Sequence, residues 1–302
     1  MADLLVVGSF AFDTINTTTD RRERIPGGTG THAAYGASYF TKTFASGIVG
    51  GDWNPAYTQD FQNRDIDLQN FEIRQDAKTS FWEAVYSQNM NQRDTLEFQA
   101  NVLTEFQPNL TPSARACPYL FLANNPPAVQ MEIIRQCTQP KLILADTMDF
   151  YINSVREDLL ELMKKVDGLV LNDGEARLLT GKFDLFDAGD AIRALGPKFV
   201  IIKKGSHGAI FMGENDEVCV FPAYPTRKVV DPTGAGDCFA GAFMGCLAAQ
   251  DKMDLQAFKE ALVYATVTAS FIIEDFGFDA LKRSSRAGID ARFEQMREML
   301  RF

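Results

Sequence analysis

The sequence predicts an α/β fold built on an open, mostly parallel sheet, with a small β flap attached. Three observations carry this. Short apolar runs recur along the chain with hydrophobic residues on both parities, as in strands covered on both faces. Amphipathic helical patterns separate them, as in βαβ units. One aromatic-rich stretch breaks the alternation with polar turn residues at its centre.

The strand candidates are LLVVG (Leu4–Gly8), PYLFLAN (Pro118–Asn124), KLILAD (Lys141–Asp146), GLVLND (Gly168–Asp173) and KFVIIKKG (Lys198–Gly205). Between them AVQMEIIRQCT, VREDLLELMKKV and DAGDAIRALG read as helices. The stretch Thr79–Gln99 reads as two strands joined by the turn QNMNQRD, and Ala209–Tyr224 as a hairpin turning at GEND. The tail from Ile289 reads as a mixed-charge amphipathic helix. We expect one domain over residues 1–302, its flap drawn from segments within about 10–25 and 70–105. The length of 302 residues suits one large domain with a smaller appendage.

Composition narrows the function. The net charge of −10 argues against a general nucleic-acid or anionic-membrane partner, which basic stripes would serve. Five cysteines without a CxxC pair point away from a disulfide framework or zinc site and toward a reducing, cytoplasmic setting. Two histidines, His32 and His207, leave little for a His-rich metal centre. No apolar stretch is long enough to span a bilayer, and the N-terminal run turns polar too soon for a signal peptide.

In open α/β sheets ligands collect at the carboxyl ends of strands, which singles out Asp13, Asp146, Asn172, Lys203 and Asp231. The run VVDPTGAGDCFAGAF is the most informative. Asp231 ends an apolar pair, Thr233 and Gly234 lie in a tight turn, and Ala235 and Gly236 leave backbone N–H groups bare. A small-residue helix follows from Asp237. Such a turn favours a phosphate or developing negative charge, and Asp237 could take the proton of an attacking hydroxyl. The competing reading is a plain capped turn.

Other segments are less decisive. LNDGEARLLTG fits a capping box, Asn172 with Glu175, or a pair facing a hydrated Mg²⁺. In KKGSHGA, Lys203 or Lys204 could meet a nucleotide phosphate, or the segment is a solvated turn. GTGTHA matches a loose dinucleotide fingerprint but follows the polar run DRRERIP instead of a strand. No GxxxxGK[ST] motif exists. Cys238 reads as a small packing residue, because the adjacent carboxylate opposes a thiolate.

Taken in order, VVGSFAFDTI, PGGTGTHAA, LNDGEARLLTG, KKGSHGA, VVDPTGAGDCFAGAF and ASFIIEDFGF resemble the PfkB (ribokinase-like) carbohydrate kinases over nearly the whole chain. The resemblance implies a three-layer α/β/α ribokinase-like core with a small β-sheet lid, and ATP-dependent phosphorylation of a hydroxyl. It implies Asp237 as general base and the N–H groups of Gly234, Ala235 and Gly236 as an anion hole. Asn172 and Glu175 would act through Mg²⁺ and its waters. Lys203, Gly205 and Gly208 would line the nucleotide, with Thr266 and Gly277 near the adenine. Asp231 and Thr233 would hold a monovalent cation such as K⁺. Asp13, Gly28 and His32 would face the acceptor.

The acceptor side departs from ribose-specific members: Ala11 and His32 stand where asparagine is usual, and Thr29 where lysine is usual. His32 is either an acceptor contact or a structural histidine. Phe81, Trp82 and Tyr86 either stack on the acceptor or pack the lid, and Asp146 is either a nucleotide-side contact or a helix cap. The expected acceptor is a small sugar or polyol. The alternatives are a nucleoside kinase of the same fold, a non-catalytic nucleotide sensor and, on GTGTHA alone, a dinucleotide oxidoreductase. Pairing of two copies through the lid edge is a further expectation.

Overall fold

A computed structural model of the chain describes residues 2–90 and 92–301. In chain order its strands are β1 (Leu4–Val7), β2 (Ala11–Asn16), β3 (Arg21–Gly27), β4 (Thr43–Gly50), β5 (Asp67–Arg74), β6 (Ser80–Tyr86) and β7 (Arg93–Gln99). They continue with β8 (Tyr119–Leu122), β9 (Leu142–Asp146), β10 (Gly168–Asn172), β11 (Phe199–Lys203), β12 (Ala209–Met212) and β13 (Val218–Phe221). Nine form one sheet in the order β13-β12-β11-β10-β9-β8-β1-β4-β5. It is parallel from β11 to β5, and the hairpin β12–β13 adds an antiparallel edge.

Strand parity divides the core into two layers. Leu4 and Val6 of β1 point to one face, packing on the helices Thr29–Ala37, Ala235–Gln250 and Leu255–Ile272. Leu5 and Val7 point to the other, with Leu159, Ala176 and Ile192 from the helices on that side. Both faces are therefore dry, which is why these strands read as unbroken apolar runs. The result is an α/β/α sandwich.

The second sheet is small, in the order β3-β2-β6-β7. Residues 67–74 belong elsewhere: although they overlap the stretch expected in the flap, β5 pairs with β4 in the large sheet. The run DRRERIP is also a strand, most of β3. Its outward arginines and glutamate disguised it, and it lies in the small sheet, not in a βαβ unit. The expected turn QNMNQRD includes Asn91, outside the described residues, and its Arg93 instead opens β7.

One helix contact sets the floor of the site. A Cβ on Gly241 would lie 2.1 Å from the Ala33 carbonyl oxygen, so only glycine lets the helices Thr29–Ala37 and Ala235–Gln250 approach this closely. No helix among the described residues is long and apolar enough to cross a membrane.

Candidate active site

The polar groups converge at the carboxyl ends of the parallel strands, under the small sheet. At the centre is the turn 231–236. Asp231 is fully buried, and its two carboxylate oxygens accept the N–H of Thr233 at 2.9 Å and of Gly277 at 3.2 Å. Burial holds its carboxyl above the usual range, and no lysine or arginine among the described residues pairs with it. The carboxylate thus ties the turn to the loop at Gly277, whose φ of 58° is left-handed.

Gly234 caps the following helix with φ 73°, and no side chain caps its N–H groups. The Ala235 N–H turns back to Pro232 O at 3.2 Å, which removes it from the expected anion hole. The N–H groups of Gly234 and Gly236 take no such backbone acceptor among the described residues. A Cβ on Gly234 would lie 2.2 Å from the His32 ring, so the imidazole is pressed against this turn.

Asp237 stands in the first turn of the same helix. Burial, reinforced by Asp146, pushes its carboxyl up to about 7, against the pull of Lys203 and Arg93. Lys203 ends β11, and its ammonium donates to Asp146 Oδ2 at 3.3 Å. A Cβ on Gly236 would lie 3.1 Å from Lys203 Nζ, which puts the cation beside the glycine turn. Burial opposes the ammonium, yet Asp146, Glu175 and Asp237 together hold its pKa above the ordinary lysine value. Asp146 accepts from Thr147 N at 2.8 Å as well as from Lys203, so it anchors the lysine.

Asn172 and Glu175 form the reciprocal capping box. Glu175 N donates to Asn172 Oδ1 at 2.8 Å, and Asn172 N to Glu175 Oε2 at 2.7 Å. Burial and then Asp146 raise the Glu175 carboxyl to about 7, and Oε1 stays outside the cap. Gly205 and Gly208 flank a short 3₁₀ turn with φ 54° and 81°. Thr266 is buried, and its hydroxyl donates to Leu262 O within its own helix at 2.8 Å.

On the acceptor side Asp13 is buried on β2. Burial, then Asp231, raise its carboxyl to about 8. A Cβ on Gly27 would lie 1.9 Å from Asp13 Oδ2, so Asp13 rests directly on the GG turn. His32 is 1% exposed, and neither ring nitrogen has a hydrogen-bond partner among the described residues. Burial lowers its pKa to about 4, so the imidazole is neutral. Thr29 is spent on structure, bonding Ser9 and the Asn124 carbonyl. Cys238 is fully buried, and burial raises its thiol pKa.

The lid aromatics separate. Trp82 and Tyr86 share one face of β6, where Trp82 neighbours Asp13 and the Tyr86 hydroxyl meets Thr233 Oγ1 at 2.9 Å. Phe81 points the other way, under the Arg24 guanidinium at 6.0 Å. That outer face carries a separate hollow of about 340 Å³ lined by residues including Arg24, Asp52 and Glu83. Arg24 is paired with Asp52 there, and Phe81 is the one expected acceptor-side residue in its lining.

The sequence reading missed three features: the Asp146–Lys203 bond, the Tyr86–Thr233 bond and Arg93. The strand ends pointed to the first pair. The other two depend on lid register, which no local pattern reveals.

The chain is 30% identical over 297 residues to a nucleoside kinase of Methanothermobacter thermautotrophicus, covering 91% of this chain and 90% of that one. It is 28% identical over 257 residues to a cytidine kinase of Thermococcus kodakarensis, covering 81% and 88%. Its fold is similar to that of Arabidopsis thaliana ribokinase complexed with ribose and ATP, with TM-score 0.80 and 20% identity over 97% of this chain and 99% of that one. It is also similar to Burkholderia thailandensis nucleoside kinase in complex with inosine, with TM-score 0.77 and 19% identity over 97% and 98%. The family model for pfkB carbohydrate kinases matches residues 1–283, and the chain belongs to that family of sugar and nucleoside kinases.

Proposed function

We propose that the chain transfers the terminal phosphoryl group of ATP to a hydroxyl held between Asp13 and Asp237. The observation that carries this is Asp237 itself. It is a carboxylate poised near neutrality, in the first helical turn beside two backbone N–H groups and a lysine. Asp13 binds acceptor hydroxyls. Asp237 removes the proton of the attacking one. The N–H groups of Gly234 and Gly236, with Lys203, stabilise charge on the transferring group. Asp146 keeps Lys203 in place.

Mg²⁺, when bound, neutralises phosphate oxygens, and Glu175 and Asn172 would hold it through its waters. The free Glu175 Oε1 fits that role. Asp231, a buried carboxylate with no cationic partner among the described residues, fits a monovalent cation shared with Thr233. Lys203, Gly205 and Gly208 line the nucleotide side.

A nucleoside is favoured over a plain sugar as acceptor. Two relatives that match most of the chain are nucleoside and cytidine kinases, and Trp82 lies on the lid strand beside Asp13. Asp237→Asn is expected to fold normally by circular dichroism and to lose about 10²–10⁴-fold in turnover. Near-normal turnover in that variant would remove the mechanism. A panel of nucleosides, pentoses, hexoses and inositol with ATP and Mg²⁺ identifies the acceptor.

A further inference from the structure

Arg93 is the residue of the lid whose position the proposed chemistry leaves unused. It opens β7 directly opposite Tyr86 of β6. Residues opposite each other in an antiparallel pair project to the same face. Tyr86 reaches the catalytic turn through Thr233, so Arg93 lies on the face that covers the site. Its guanidinium stands 5.4 Å from the Trp82 ring centroid.

The other lid arginines are engaged. Arg21 pairs with Glu83, Arg22 with Asp20 and Arg24 with Asp52. Arg93 has no carboxylate within 4.0 Å among the described residues. Its charge nonetheless reaches inward, drawing down the carboxyls of Asp13 and Asp237. A cation beside an indole, on the same face of the small sheet as Asp13, presents guanidinium N–H donors at the edge of a flat surface. A planar ring that stacks and offers an oxygen acceptor matches that combination.

We propose that Arg93 reads the acceptor: its guanidinium donates to a carbonyl oxygen on a flat ring lying along Trp82, making Arg93 a specificity residue for nucleosides. The inference rests on the kinase reading above and deepens it. Arg93→Ala, Arg93→Lys and the parent enzyme are compared in steady-state kinetics with cytidine, uridine and ribose, varying ATP separately. In Arg93→Ala the KM for cytidine and uridine is expected to rise about 10- to 100-fold, the loss of a charged hydrogen bond. The KM for ATP, the KM for ribose and kcat are expected to stay within about threefold, the KM–kcat split of lost uniform binding. Arg93→Lys keeps the charge but loses the planar fork, and is expected to recover only part of the affinity.

A fall in kcat at unchanged acceptor KM would overturn the inference and place Arg93 on the transferring phosphoryl group. An equal rise for ribose, or no change at all, would overturn it too. If the parent enzyme phosphorylates sugars and no nucleoside, Arg93 loses this role while the kinase mechanism stands. If it phosphorylates nothing on the panel, the functional reading falls and this inference with it.

Discussion

Replacing Lys203 by methionine tests the electrostatics of the site while leaving the proposed base in the sequence; it also removes one of the charges that hold the Asp237 carboxyl down. The side chain of Lys203 is 17% exposed and that of Asp146 5%, so the bond between them is a buried ion pair. Removing one partner of such a pair typically costs about 3–5 kcal/mol, because a buried charge is left alone. Asp146 keeps its bond from Thr147 N, which favours the lower end, about 3 kcal/mol. At this chain length that is a drop in Tm of about 6 °C. The loss should depend on pH. Asp146 already titrates above its ordinary value because of burial, and without the lysine it titrates higher still. The unfolded carboxyl ionises first as pH rises above about 4, and the folded one only later. The penalty is therefore absent in acid, grows through that window and is complete above it. Differential scanning of the protein without nucleotide should show the gap between parent and variant narrowing from pH 7.5 to pH 5. Adding Asp146→Asn should restore most of the stability and none of the turnover. A gap that does not change with pH, or no gap, would refute the assignment of Asp146 and Lys203 as a coupled pair.

Three further outcomes follow from the geometry. With Asp237 raised to about 7 and required in its ionised form, kcat/KM for the acceptor should fall about tenfold per unit below pH 7; an inflection near the ordinary aspartate value would count against it as the base. Gly234→Ala adds a Cβ at φ 73° that would lie 2.2 Å from the His32 ring. The φ strain alone costs about 1–2 kcal/mol, and the clash shifts the Gly234 N–H from its position, at a cost of up to the about 10²–10³ in kcat that loss of such a donor brings, so both Tm and turnover should drop; parent-like turnover would show that the turn has another purpose. Gly27→Ala puts a Cβ 1.9 Å from Asp13 Oδ2 and should raise acceptor KM with ATP KM unchanged, since it displaces the acceptor-binding carboxylate alone; equal effects on both substrates would argue that Asp13 is structural.

Much of this was legible beforehand, for physical reasons. The central parallel strands announce themselves because both faces are dry. The turn 231–237 is legible because glycine, proline and aspartate are needed there in sequence. Strand β4 was missed although all eight of its residues are buried, since TFASGIVG is rich in small residues that give no strand signal. Strand β5 was missed because an edge strand with Asp, Gln, Asn and Glu resembles a loop. The helix from Thr29 was hidden by its glycines, which serve close packing at the expense of helix propensity. Arg93 stayed hidden because a turn and a strand differ there by one register position, and register decides which face a side chain meets. Ala235 was assigned an open N–H because spacing shows a turn but not which of its donors the turn consumes.

The glycine-mediated seam between the helices Thr29–Ala37 and Ala235–Gln250 has a further consequence. His32 belongs to one helix, and Gly234 and Asp237 lie at the start of the other. At Gly241 and Gly245 backbone packs on backbone, and at Gly36 only the small Cys238 side chain intervenes, so the seam leaves little room for relative movement. His32 and the turn before Asp237 therefore travel as one block. The small sheet touches that block through the hydroxyls of Tyr86 and Thr233. Asp13 lies on β2 of the small sheet, so swinging that sheet away would separate Asp13 from Asp237 while leaving the turn 231–236 and Lys203 assembled.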